Sequence, residues 1–467
     1  MLEREPFVPQ PAETRRLTVS AAQFGLTDEL VLPGDGGWDG ARQAWNLGVD
    51  QHPAAVAIPS SVENLAKAVR YARANHLRIS AQGTGHGAQA LGSLANALLV
   101  KTSGLREVRI DPERRRVHVQ AGPQWQDVTV PAAEHGLAAL SGSSPNVGVV
   151  GYSLGGGVGW LARRFGMCSE SIRAADVVTA DGTPVRVDAD HEPDLFWALR
   201  GGGGSFAVVT ALELEQFPAR ELYAGNLFWP LERAPEVLEA WRTWVQNVPE
   251  ELTSLARLLR VPPLPGVPEA LRGRAFVLVE AAYLGSEADG AAWVRPLREL
   301  QPEIDTFTSM SPPGLRALHM DPEMPVASVG DGALLTSFPS EAADQVLGIV
   351  GEGTESMLLS VEVRHLGGEL AESRPGQGPL MPLDAAFAIY GVGIAADEGS
   401  AAATHADLDR LLDAVRPWDR GRSFPTLSER AGTTLFPPDV YNRLRDVKRR
   451  YDPGNVLAGG HPIHPAG

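Results

Sequence analysis

Residues 55–87, AVAIPSSVENLAKAVRYARANHLRISAQGTGHG, place an apolar run, an amphipathic pattern, a second apolar run and a glycine loop in immediate succession. Ala54–Ile58 reads as a buried strand. The next stretch opens with Pro59 and the pair Ser60 and Glu63, spaced as a capping box, and carries Leu65, Ala68, Val69 and Ala72 on one helical stripe. RISAQG, residues 78–83, then supplies a second strand. Strand, helix and strand in this order make the β-α-β crossover of a parallel sheet, and GTGHGA, residues 83–88, falls at the end of its last strand. His86 stands among three glycines there. It is either a solvated loop residue or a side chain held against something that needs bare backbone around it.

Two more glycine clusters follow at spacings of about 60 residues: GSSPNVGVVGYSLGGGVGWLARRFGM at 142–167 and DLFWALRGGGGSFAVVTALELEQF at 194–217. Between the clusters lie a hairpin (REVRI, DPERR, RVHVQAG), a helix (QWQDVTVPAAEHGL) and a strand region (AADVVTADGTPVRV). GTGHGA formally matches the G-x-G-x-x-A turn of a dinucleotide fold. Gly92, however, interrupts any helix after it, and Glu107 precedes a hairpin instead of ending a second parallel strand. No cluster is followed by Lys and Ser or Thr, which excludes a Walker loop. Three clusters in one domain fit a single extended ligand crossed by several loops, because runs of glycine amides turn inward as nests for phosphate oxygens. A dinucleotide satisfies all three. The competing reading is tight turns and packing corners.

Residues 51–217 thus form one domain, preceded by an arm over residues 1–50 that has no sustained periodicity. From 218 to 425 the texture changes to long alternating strands (GNLFWPL, SLARLLRV, RAFVLVEAAYLG, LLSVEVRHLGG, AAFAIYGVGIAA) separated by amphipathic helices. That pattern predicts an antiparallel sheet with helices on one face, hence an α+β protein of two layers. Residues 426–467 hold a basic helix stopped by Asp452-Pro453-Gly454 and an irregular tail. One cysteine in 467 residues leaves no disulfide framework, and no apolar run approaches the roughly 20 residues that span a bilayer. The N-terminus does not resemble a secretory signal, so a cytoplasmic location is expected. A net charge of −16 without a basic stripe argues against nucleic acid, and nothing in the sequence calls for a metal or a membrane.

Four segments together carry a resemblance to a known family: residues 55–87, PNVGVVGYSLGGGVGWLARRFGM, the segment 194–217, and YNRLRDVKRRYDPGNVL with the following HPI. The chain resembles the vanillyl-alcohol oxidase and para-cresol methylhydroxylase superfamily, and within it the berberine-bridge-enzyme-like branch near bacterial 6-hydroxynicotine oxidases. The resemblance implies a PCMH-type FAD-binding domain and FAD bonded through His86 to the 8α-methyl carbon of the isoalloxazine. It implies further FAD contacts at Gln82, Gly83, Thr84, Gly85, Gly87 and Ala88. The second loop would add Ser144, Pro145, Val147, Gly148, Gly151, Tyr152, Gly155, Gly156 and Gly159, and the remainder of the chain Val208 and Asn455. Ser144 stands where some members attach the flavin a second time through cysteine, so a single attachment is implied, and Cys168 reads as a small core residue. Val147 matches a position where valine resembles oxidases and leucine dehydrogenases. Glu170-Ser171 and Tyr441-Asn442 depart from the family's Asp-Asn and Asn-Tyr.

A flavin oxidase needs a base over the ring to take the proton of an O–H or N–H while hydride leaves carbon. In LLSVEVRHLGG, Leu359, Val361 and Val363 alternate with Ser360, Glu362 and Arg364, which puts Glu362 and Arg364 on the face away from the helices. Tyr390 and Tyr283 are further candidates, since a phenol acts as base once its pKa is lowered. His365 falls on the apolar face and reads as a satisfied core histidine. The expected reaction is oxidation of a C–H next to a hydroxyl or amine of a small molecule, with molecular oxygen as acceptor and hydrogen peroxide as product, by a monomer or homodimer. A flavoprotein that sequesters a small molecule without turnover, and an NAD-dependent dehydrogenase built on GTGHGA, are the competing classes.

Overall fold

The structure, a computed structural model, describes residues 17–264, 267–430 and 432–467; the first sixteen residues of the expected arm, and with them the region read for a signal, lie outside the described residues. The stretch that opened the sequence reading folds as β1 (Ala55–Ala57), α1 (Val62–Ala74) and β2 (Arg78–Gln82), with β3 (Ala97–Lys101) lying between the two strands and parallel to both. Leu65, Ala68, Val69 and Ala72 are fully buried, as the stripe requires. The cap differs from expectation. Ser61, one residue later than Ser60, accepts from Asn64 N at 3.2 Å, because Ser60 is drawn to Glu29 and Glu63 pairs instead with Lys67 one turn on, at 2.9 Å.

A second, antiparallel sheet is built from β4 (Val108–Asp111), β5 (Arg116–Gln120), β6 (Ile172–Val178), β7 (Pro184–Asp188) and β8 (Val208–Glu215), in the order β4-β5-β8-β6-β7. Between β5 and β6 run α2 (Gln126–Glu134) and α3 (Val149–Leu154), and α4 (Pro193–Gly202) precedes β8.

The third sheet holds β9 (Leu222–Pro230), β10 (Leu252–Arg260), β11 (Ala275–Tyr283), β12 (Ser328–Leu335), β13 (Leu358–His365) and β14 (Phe387–Ile394), ordered β9-β11-β10-β13-β14-β12 and antiparallel throughout. Helices α5 (Ala234–Trp244), α6 (Glu287–Arg298), α7 (Ser340–Val350) and α8 (Glu398–Ala414) share one apolar core with it. Strand alternation sorts the sheet's two faces. Leu227, Trp229, Ala256, Leu258, Val277, Val279, Val361, Val363 and Ile389 join the helices' core, whereas Asn226, Arg257, Glu280, Glu362, Arg364 and Tyr390 occupy the alternate positions. The fold is therefore α+β, with a polar sheet face turned toward the glycine loops. Among the described residues no helix is long and apolar enough to cross a membrane.

The chain's end returns to its beginning. Helix α9 (Pro438–Tyr451) stops at Asp452, after which Ile79 N donates to Val456 O and Ala458 N to Ile79 O, both at 2.8 Å, extending the first sheet beside β2. Lys448 holds this return: its fully buried ammonium donates to Asp452 (2.6 Å), Ser205 O (2.6 Å) and Leu457 O (2.8 Å). One cation thereby ties the helix, the third glycine cluster and the tail together.

Candidate active site

Strand β2 ends at Gln82, and the loop after it is clamped from outside by the arm. Trp45 N donates to Thr84 O at 3.0 Å, and the Trp45 indole stacks on the His86 ring at 4.0 Å and 17°. Gly85 has φ +89°, and a Cβ there would lie 3.0 Å from Ala44, so only glycine lets the loop turn under the arm. The hydroxyl of Thr84 accepts from Gly148 N (3.3 Å) and pairs with His86 Nδ1 (2.8 Å), joining the first loop to the second. Burial pulls the His86 pKa down to about 4, against the opposing influence of Asn146 and Asp321. The imidazole is neutral at ordinary pH, and its Nε2 is buried without a hydrogen-bond partner.

The second loop is pinned by the start of α2: Trp125 N donates to Val147 O and Gln126 N to Pro145 O, both at 3.0 Å, and Ser144 Oγ donates to Asn146 Oδ1 at 2.7 Å. Gly87 and Gly151 have nothing within 4 Å of an added Cβ, and Gly83 and Gly148 meet only ordinary contacts at 3.8 and 3.6 Å. Gly87 and Gly151 therefore line open space, whereas Gly83 and Gly148 are in contact with protein. Gly156 and Gly159 are tighter still: an added Cβ would lie 2.8 Å from Leu380 and 1.9 Å from Ser141 O, so the close neighbour there is protein. Gly155 likewise packs against Thr426, at 3.1 Å. Ala88 is buried in a short 3-10 turn, and Val208 is core, paired with Val178. Asn455, at φ +48°, makes the turn after α9 and pairs with His464 at the surface. Tyr152 stands edge-on to Trp125, flanked by Gly142 and Gly157, with its hydroxyl buried and unpartnered.

Facing these loops, the polar face of the third sheet carries a chain of buried charges. Arg257 pairs with Glu280 (2.6 Å), Glu280 with His319 Nδ1 (2.8 Å), His319 Nε2 with Glu362 (3.1 Å), and Glu362 with Arg364 Nε (2.6 Å). Arg364 reaches Val158 O of the second glycine cluster at 3.3 Å, and Asp321, beside His319, accepts from Ser143 Oγ at 2.7 Å. Although burial and Arg257 oppose protonation, the three neighbouring carboxylates raise the His319 pKa to about 9. Against the pull of burial, Arg364 and His319 hold the Glu362 carboxyl far below the ordinary range. Three cations thus face three anions, and the network is neutral with His319 protonated.

On the adjacent strand Tyr390 lies directly opposite Glu362, and its hydroxyl donates to Glu429 at 3.0 Å. Glu362, Arg364 and Tyr390 are therefore brought together. Tyr283 is not: it packs against the helix-covered core. His365 also differs from expectation, because its Nδ1 is buried without a partner, and burial beside Arg163 pulls its pKa down to about 3. Cys168 is buried beside Ser153, with its thiol pushed up to about 11.

The sequence reading missed Trp45, Arg257, Glu280, His319 and Glu429. Glu280 did leave a signal, being the lone charge inside the apolar run of β11, and Arg257 did so as a charge in the middle of β10. Trp45, His319 and Glu429 lie outside the strands, where no periodicity marks them.

The FAD binding domain family matches residues 53–188. The (R)-6-hydroxynicotine oxidase of Paenarthrobacter nicotinovorans is 29% identical over 96% of this chain and 99% of its own. The crystal structure of 6-hydroxy-D-nicotine oxidase from Arthrobacter nicotinovorans superposes with a TM-score of 0.83 at 25% identity, over 96% of this chain and 100% of that one. That of the berberine bridge enzyme from Eschscholzia californica gives 0.81 at 17% identity, over 95% and 98%, a likeness of fold.

Proposed function

We propose that the chain, which carries an FAD binding domain and is similar over its length to an FAD-linked oxidase, is a berberine-bridge-enzyme-like oxidase of the PCMH type that holds FAD through a bond to His86 and oxidises a small alcohol or cyclic amine, with oxygen as the final acceptor. The observation that carries this reading is His86 Nε2: a neutral, buried nitrogen with no partner, followed by Gly87, beside which a Cβ would meet only open space. A buried nitrogen left unpaired is unfavourable by about 1–3 kcal/mol, and a covalent neighbour removes that penalty. The unpartnered Tyr152 hydroxyl and the open faces of Gly87 and Gly151 fit the same group.

Bound FAD supplies the hydride acceptor and passes the electrons on to oxygen, leaving peroxide. This chain's residues handle the proton and the orientation. Tyr390 is the base, because it stands on the sheet face toward the loops and its hydroxyl has a carboxylate behind it. Glu362 is a poor base, since Arg364 and His319 hold it ionised. Glu362, Arg364 and His319 instead fix a rigid charged wall that orients the polar end of the substrate. Anaerobic mixing of the yellow protein with 6-hydroxynicotine, cellobiose and a panel of aromatic alcohols, followed by air, tests the reading. Bleaching, recolouring and one peroxide per turnover are expected; bleaching that never exceeds one equivalent, with no peroxide, contradicts it.

A further inference from the structure

We propose that Trp160, Arg163 and His365 form a binding site for one monatomic anion, a halide of the size of chloride, at the seam between the second glycine cluster and the third sheet. The site takes no part in the flavin chemistry above and stands or falls apart from it.

A cavity of about 20 Å³ lies at this seam, lined by Trp160 and Arg163 from the end of the glycine cluster and by Ser254 of β10 and His365 of β13 from the sheet. Trp160 Nε1, Arg163 Nε and His365 Nδ1 are all buried, and none has a hydrogen-bond partner. Three unsatisfied nitrogens thus belong to the lining of one small space. Arg163 is a buried cation, only 6% exposed. Its Nη1 donates to two carbonyls, Pro249 O at 3.1 Å and Leu252 O at 2.5 Å. Among the described residues no carboxylate lines the cavity or pairs with Arg163. The two acids that act on it from a distance, Glu250 and Glu251, pair with Arg164 instead, at 3.0 and 3.5 Å.

Size and donor set together choose the occupant. A cavity needs roughly 10–15 Å³ to hold one water, so this one takes a water or a single ion of comparable size, and sulfate or a carboxylate does not fit. A water must place two hydrogens of its own, whereas a monatomic anion only accepts. It can take the indole N–H, the guanidinium N–H and the imidazole together. Burial beside Arg163 keeps His365 neutral, with its pKa near 3, and its Nδ1 donates in one of the two neutral tautomers. An anion also supplies the counter-charge that Arg163 lacks, and a buried charge without one is costly. Bound there, it joins the end of the glycine cluster to β10 and β13, beside Arg364, which reaches Val158 O across the same seam.

The test uses the purified full chain with sodium bromide as the probe. Crystals grown with bromide and measured at the bromine absorption edge should show one anomalous peak in the cavity, within hydrogen-bonding reach of Arg163 Nε and Trp160 Nε1. In solution, replacing sodium sulfate by sodium bromide or chloride at fixed ionic strength should raise Tm along a saturable curve. The general effect of the salts runs the other way, because sulfate is the one that strengthens burial. Trp160→Phe keeps a ring and removes one N–H, so the midpoint of that curve should move about tenfold higher, the loss of one hydrogen bond to a charged group. Arg163→Gln should abolish the rise. A cavity without an anomalous peak holds a water or nothing and overturns the proposal. A peak in the crystal without a rise in Tm marks an adventitious ion only and overturns it too, as does a rise that is unchanged in both variants. If neither variant folds, the wild-type peak and the wild-type bromide curve decide.

Discussion

His319 sits between two buried carboxylates, Glu280 at 2.8 Å and Glu362 at 3.1 Å, and its charge lets both stay ionised without water. Replacing it by glutamine leaves three carboxylates, Glu280, Glu362 and Asp321, facing two cations, Arg257 and Arg364. Breaking a buried pair in this way destabilises by about 3–5 kcal/mol, which thermal denaturation should register as a clear drop in Tm. The sign of the pH dependence follows from the raised pKa of about 9. A histidine that is easier to protonate when folded adds its full contribution below its unfolded value near 6.5 and loses it as pH climbs through the folded one. The wild-type advantage over His319→Gln should therefore shrink between pH 6.5 and 9; an advantage that grows over that window would contradict the assignment. Glu362 and Arg364 were legible because strand alternation exposes them. His319 was not, since it follows a short 3-10 turn and its importance comes from strands distant in sequence.

At the scale of the element, the crossover from β1 to β2 was readable because two periodicities abut, whereas β12 and α8 escaped notice. Strand β12 reads SVGDGALL, and Gly330, Asp331 and Gly332 break the alternation that marks a strand. The structure explains both glycines: a Cβ at 330 would meet the Tyr390 hydroxyl, and one at 332 would lie 2.4 Å from Ile389 O. Helix α8 is alanine-rich, with a narrow stripe of Leu408 and Leu411. Gly330→Ala should consequently act on chemistry before stability. The added methyl forces Tyr390 off Glu429, and the rate of flavin reduction should fall at least tenfold while the far-ultraviolet circular dichroism stays unchanged; an unaffected rate would show that the phenol does not need that position. The expected capping box does not form, and a simple cap one residue later at Ser61 replaces it, because Glu29, from a segment far off in sequence, takes Ser60.

At the scale of the whole molecule, the last 30 residues close the first sheet, and a single ammonium holds them there. Lys448 is fully buried against Asp452 and two carbonyls. Lys448→Met keeps the volume but leaves Asp452 without its cation, so the tail should detach first. We expect cleavage after Arg449 or Arg450 by trypsin under conditions in which the wild type is intact, and faster loss of flavin from any fraction not covalently bound; equal resistance would contradict a structural role for the return. The resemblance in four segments could locate both ends of this arrangement, but not what joins them, because Lys448 looks like any basic residue of an amphipathic helix. Nor could it locate Trp45, whose ring covers His86 from a region without periodicity.

The central claim is that His86 carries the flavin by a covalent bond. The direct measurement is the mass of the purified yellow protein after unfolding in acid and removal of all free small molecules. The account predicts a polypeptide heavier by one FAD and still yellow, with His86→Ala returning to the unmodified mass. An unmodified mass from a preparation that was yellow when folded would contradict it.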